Sequence, residues 1–131
     1  MKATDLMIGD WVKIKGHLDC DKVREIARDE NMQWYISFAC SASLFRTYEF
    51  EPIPLTPEIL EKNGFIKVNS QRYDYGYPDT DCYVKVNPKK NMIHVNGRNA
   101  NSNLYSHSFV HELQRALRLC GLDELANNFK I

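Results

Sequence analysis

The sequence predicts an α+β fold. Three observations carry this: short stretches of period-two alternation in both halves, one proline-capped helical stretch between them, and one amphipathic helical stripe near the end. Each half reads as an antiparallel meander, the first with a small, partly open barrel as its alternative, and the second as a hairpin region closed by a C-terminal amphipathic helix. With 131 residues, 44% hydrophobic and 26% charged, the expectation is a single domain over 1–131. Its sub-structures span about 1–51 and 65–131, joined by a proline-rich connector and short helix over 52–64.

In the first half, Trp11-Val12-Lys13-Ile14, Lys22-Val23-Arg24-Glu25-Ile26 and Met32-Gln33-Trp34-Tyr35-Ile36-Ser37-Phe38 carry the alternation and branched or aromatic residues that strands favour. Gly16, His17 and Asp19 to Asp21 separate the first pair, and Arg28-Asp29-Glu30-Asn31 the second, at hairpin-scale lengths. A further strand is expected between Leu44 and Phe50.

In the connector, Thr56 can cap a helix, Pro57 suits its first position, Glu58 and Glu61 suit its positive end, and Gly64 terminates it. The helix is expected over 57–63. Beyond it, strands are expected over 65–68, 72–77, 81–86 and 91–95. The last two are joined by Asn87-Pro88-Lys89-Lys90, a turn with its bend preset by proline. Alternation buries Val84, Val86, Ile93 and Val95, and places Tyr83, Lys85, Met92 and His94 on the opposite face. The final helix is expected over 109–120 because Val110, Leu113, Leu117 and Cys120 recur on one stripe, with Gly121 ending it. One more helical turn is expected in the tail, pinned by Phe129 and Ile131.

Seventeen Lys plus Arg balance seventeen Asp plus Glu, which argues against binding to nucleic acid or an anionic membrane by bulk charge. The first ten residues hold no apolar run of signal-peptide length, and no window reaches the length of a membrane-spanning helix. A cytoplasmic protein is therefore expected. Cys20, Cys40, Cys82 and Cys120 form no C-x-x-C and no zinc-ligand spacing, so they read as thiols in a reducing compartment, with no metal and no cofactor. No Walker A loop, G-x-G-x-x-G or G-x-S-x-G is present.

Three constellations are candidates for chemistry. His111-Glu112-Leu113-Gln114-Arg115 opens like the zinc-protease motif, but Arg115 stands where the second His is needed, and a guanidinium does not ligate metal. What remains is a helix whose expected outward face carries His111, Glu112, Gln114, Arg115 and Arg118, which a solvated, ion-paired surface also explains. The segment 97–108 reads as a polar loop feeding a helix amino terminus, where Arg98 would hold phosphate and Asn99 and Asn101 would meet ribose or base edges. Ser106 or Ser108 would also serve there as an ordinary helix cap. In Arg72-Tyr73-Asp74-Tyr75-Gly76-Tyr77, alternation puts the tyrosines on one face, either as a stacking wall or as plain cover for a sheet.

The stretches Asp5-Leu6-Met7-Ile8-Gly9-Asp10-Trp11-Val12, Glu51-Pro52-Ile53-Pro54-Leu55-Thr56-Pro57-Glu58-Ile59-Leu60-Glu61-Lys62-Asn63-Gly64-Phe65 and Val110-His111-Glu112-Leu113-Gln114 resemble, in order along the chain, a family of small accessory proteins of phages and prophage-like elements of Bacteroidota. The resemblance brings no activity and no functional residues with it. It implies a phage-encoded protein acting in a bacterial host cytoplasm, where one class of small phage proteins sequesters the nucleotide signals of antiphage defence.

In that setting the expectation is a homo-oligomeric binder of an anionic nucleotide-like small molecule. Arg98, Asn99 and Asn101 would be polar contacts, Tyr75, Tyr77 and Tyr105 stacking partners, and His107 and His111 charge-assisted donors. The first alternative is an enzyme that degrades such a nucleotide, with His107 or His111 and Glu112 moving protons. The second is a protein or nucleic-acid interaction module on the first meander; zero net charge counts against its nucleic-acid form, which a local basic patch elsewhere, Lys85, Lys89 and Lys90, keeps open.

Overall fold

The computed structural model describes residues 3–16, 19–39, 44–46, 49–76, 82–97, 100–105 and 108–131, with backbone placement alone for Thr4, Leu44, Arg46 and 100–105. The chain divides into two compact units, Met1–Ile53 and Pro54–Ile131, so the boundary falls inside the proline-rich connector. The architecture is α+β, as the periodicities predict, and each unit holds one five-stranded antiparallel sheet.

The first unit contains β1 (Trp11–Ile14), β2 (Cys20–Arg28), β3 (Trp34–Phe38), β4 (Leu44–Arg46) and β5 (Phe50–Glu51), in the order β4-β3-β2-β1-β5. Strands β1 to β4 form the expected meander, and β5 returns to pair with β1. Among the described residues no pairing joins β4 to β5, so the sheet is not closed into a barrel. A register shift between Val23 and Glu25 inserts a bulge into the long β2, which increases local twist and turns the strand between its two neighbours.

The hairpin between β2 and β3 is built by Asp29. Its Oδ1 accepts the Asn31 and Gln33 amides at 2.9 and 2.7 Å, and its Oδ2 accepts the Tyr35 hydroxyl at 3.2 Å. This is the local side-chain bonding that makes Asp a turn former. Leu6, Val12, Val23, Ile36, Phe38 and Phe50 pack into one core, with Ile14, Ile26 and Phe45 against it.

The second unit begins with α1 (Pro57–Lys62), where Thr56 Oγ1 accepts the Ile59 amide at 3.3 Å and Pro57 opens the first turn, as expected. The helix ends one residue before the predicted limit, because Asn63 leaves helical geometry and Gly64 takes φ 82°. Its sheet runs β6 (Ile66–Lys67), β7 (Tyr73–Gly76), β8 (Tyr83–Asn87), β9 (Met92–Gly97) and β10 (Ala100–Tyr105), each paired antiparallel with the next. Between β8 and β9 the expected turn is a 3-10 turn over Pro88–Lys90, capped by Asn87 and left through Asn91 at φ 49°.

Two helices follow, α2 (Val110–Leu119) and α3 (Asp123–Asn127). Val84, Val86, Ile93 and Val95 from the sheet and Val110, Leu113, Ala116 and Leu117 from α2 are each at most 1% exposed, so this unit's core lies between the sheet and α2. Asn63 ties the tail to α1. Its Nδ2 donates to the carbonyls of Ile59 and Lys130 at 2.8 and 2.7 Å, while its Oδ1 accepts the Lys130 amide at 2.8 Å. Phe129 is then fully buried beside that anchor in sequence.

Two sequence expectations need correction. The segment read as a polar loop over 97–108 contains β10, whose six residues pair with β9 from Ala100↔Gly97 to Tyr105↔Met92. Asn and Ser have weak strand preference, but here pairing with β9 overrides it. The second correction concerns α2. His111 and Gln114, expected outside, are 5% and 0% exposed. Gln114 is carried inside because its Nε2 donates to the Ala126 carbonyl of α3 at 2.8 Å, so its polarity is matched by a backbone group.

Candidate functional site

The predicted site residues fall into three groups. Tyr77, Arg98, Asn99 and His107 lie outside the described residues, as do Ser106 and Cys40, and Asn101 and Tyr105 are placed by backbone only. Tyr75 is half-buried on the core side of β7, with its ring 5.4 Å from that of Phe65 and next to Gly64. It serves as cover for the sheet. His111 is buried, with its ring stacked 5.9 Å from that of Phe109. Glu112 Oε2 accepts the Phe109 amide at 3.1 Å, which puts a negative charge where an incoming anion would need the helix amino terminus. The N-cap position of α2 is Phe109, not Ser106 or Ser108.

A different set of polar and aromatic side chains is gathered by the sheet itself. Period-two alternation fixes two faces, and α2 packs on the one bearing Val84, Val86, Ile93 and Val95. On the other face, Asp74, Lys85 and His94 stand side by side on β7, β8 and β9, with Asn103 of β10 next in register. The neighbouring row contains Gly76, Tyr83, Asn96 and, by register, Asn101. Asp74, Tyr83, Lys85, Met92, His94 and Asn96 are all half-buried.

The geometry within this face is specific. Lys85 Nζ lies 5.0 Å from the centre of the Tyr83 ring, and the Tyr83 and His94 rings are 6.0 Å apart with a 40° tilt. An ammonium over an aromatic face is attracted by the ring quadrupole, and the same ring offers its plane to a flat ligand. Arg72 forms a two-point ion pair with Asp74, its NH2 and Nε each 2.9 Å from a different carboxylate oxygen. That pair is locally neutral, and among the described residues Lys85 adds a further cation to this row. Gly76 at φ 80° has no room for a side chain, because a Cβ would come 2.6 Å from the Cys82 carbonyl.

The expected site draws on Tyr75, Tyr77 and residues between 98 and 111, whereas alternation in the sequence places Tyr83, Lys85, Met92 and His94 on one face. Alternation along two paired strands was the signal that identified them. Asn96 and Arg72 required the register of the whole meander.

Among the described residues, no group of three or more His, Cys, Asp or Glu is arranged to hold a metal ion, and no helix is long and apolar enough to cross a membrane. No protein-family model, curated protein or solved structure matches the chain.

Proposed function

We propose that this chain is a phage-encoded binding protein that sequesters an anionic nucleotide-like molecule, such as a cyclic nucleotide or an ADP-ribose derivative used as an antiphage signal. It would act as a homo-oligomer in the bacterial host cytoplasm. The observation that carries the reading is the helix-free sheet face of the second unit, where Tyr83, Lys85 and His94 set a stacking plane beside a cation. A base stacks on such a plane through its π-face, and an ammonium next to it suits a phosphate. Asn96 adds an amide donor and acceptor of the kind that read ribose and base edges, and Asn101 and Asn103 lie beside Asn96 and His94 in backbone register. Arg98 and Asn99 fall between the paired Gly97 and Ala100, next in sequence to that set.

Sequestration requires affinity without turnover, and a stacking plane with a lysine and amides supplies affinity. The test is a thermal-shift screen against cyclic dinucleotides, cyclic trinucleotides and cyclic ADP-ribose isomers, with chromatography of each mixture after denaturation. A ligand at a hundredfold excess over its Kd adds about 2.7 kcal/mol to stability. The expected result is a large shift with one class and intact ligand recovered, lost in Lys85→Ala and Tyr83→Ala. Recovery of an altered nucleotide would replace sequestration by catalysis, and no shift with any nucleotide would remove the reading.

A further inference from the structure

We propose that Cys82 and Cys120 are a modification site at which a hydroperoxide joins the two sulfurs in a reversible disulfide. Cys82 enters β8 immediately before Tyr83, and Cys120 ends α2, so the two come together by folding across 38 residues of sequence. The Cys82 thiol donates to the Cys120 carbonyl and the Cys120 sulfur lies 4.0 Å from the Tyr83 carbonyl, so each sulfur reaches the backbone at or beside the other cysteine. Gly97 makes this approach possible: a Cβ there would stand 3.0 Å from the Cys120 Cα, so any larger residue would push the end of α2 away from the sheet.

The pair is unequal, and this sets the order of events. Cys82 is half-buried and meets the oxidant first, whereas Cys120 is 5% exposed and burial pushes its thiol up to about 11. The Cys82 thiolate attacks one peroxide oxygen, the O–O bond breaks, and water leaves after protonation, giving a sulfenic acid. The Cys120 sulfur then attacks the Cys82 sulfur, the S–O bond breaks, and the departing hydroxide takes the Cys120 proton as a second water. Two thiols and one hydroperoxide thus give one disulfide and two waters when the oxidant is hydrogen peroxide. The bond would tie the start of β8 to the end of α2 and shrink the unfolded ensemble of the segment between them.

The experiment uses the full reduced chain, treated with hydrogen peroxide, quenched, and analysed by peptide mapping without reductant. The expected product has a mass lower by two hydrogens, a linked Cys82–Cys120 peptide pair, and a Tm raised by roughly 5–15 °C. Dithiothreitol should reverse all three. Cys82→Ser, a change at a half-buried position, should abolish the link and the Tm rise, while Cys20→Ser should leave both intact. Overoxidised but unlinked Cys82, a link to Cys20 or Cys40, or a link between two chains would overturn the proposal. Because the readouts need no nucleotide, they stand apart from the sequestration test.

Discussion

The two units solve the same problem differently. Each is a five-stranded antiparallel sheet, yet the first gathers three phenylalanines of its own strands among aliphatic side chains, whereas in the second a helix covers the sheet's valines and isoleucine. In the first, Phe38 meets Phe45 and Phe50 edge-on at 5.4 Å each, and Phe45 meets Phe50 at 6.3 Å. Its two tryptophans are half-buried and carry cations, Lys22 lying 5.2 Å from the Trp11 ring and Arg28 4.0 Å from the Trp34 ring. In the second, α2 takes over the apolar packing, so the opposite sheet face has no core to build. A single-layer cover frees one face of a sheet, and the side chains on that face can be chosen for binding rather than for packing.

The largest effects are expected from emptying each core. Phe38→Ala removes the ring shared by two edge-on contacts and is expected to cost about 3–5 kcal/mol, while Leu113→Ala under the second sheet is expected to cost about 2–5 kcal/mol. Urea unfolding followed by tryptophan fluorescence and far-UV circular dichroism measures both. A loss below 1 kcal/mol at either position would mean that its unit does not depend on the core assigned to it.

A smaller effect is expected at Asn63, whose amide holds Lys130 through both backbone groups. Asn63→Ala strands a buried donor and acceptor and should cost about 1–3 kcal/mol, with faster amide exchange at 128–131. Unchanged exchange there would show that Phe129 alone anchors the tail. Smaller still is Thr56→Ala, which removes the α1 cap for about 1 kcal/mol, whereas Thr56→Ser should restore most of it. Equal losses in the two variants would point to the methyl group rather than the hydroxyl.

These positions also mark what was legible in the sequence. The α1 cap and the β8–β9 hairpin could be read directly, because proline geometry, capping chemistry and period-two alternation are local. The β10 strand could not, since Ala100-Asn101-Ser102-Asn103 has the vocabulary of a loop and becomes a strand only by pairing with β9. Nor could the burial of His111 and Gln114, which follows from α3 and Phe109 packing against α2 at positions that lie off its apolar stripe. The Asn63 clamp joins residues 67 apart and has no local signature. The candidate face was half legible: alternation placed Tyr83, Lys85 and His94 together, but only the register across the sheet added Asp74, Asn96 and their neighbours.

In the second unit the core lies on the α2 side of the sheet, and the proposed ligand binding is assigned to the other side. The most direct test is a residue-resolved NMR titration with whichever nucleotide of the screen raises Tm most, run on the native chain and on Lys85→Met. Amide shifts are expected to concentrate at 83–85 and 94–96, with at least a tenfold weaker Kd in the variant and an unfolding free energy in urea within about 0.5 kcal/mol of native. Shifts confined to 109–112 or to the first unit, with affinity unchanged in Lys85→Met, would contradict it.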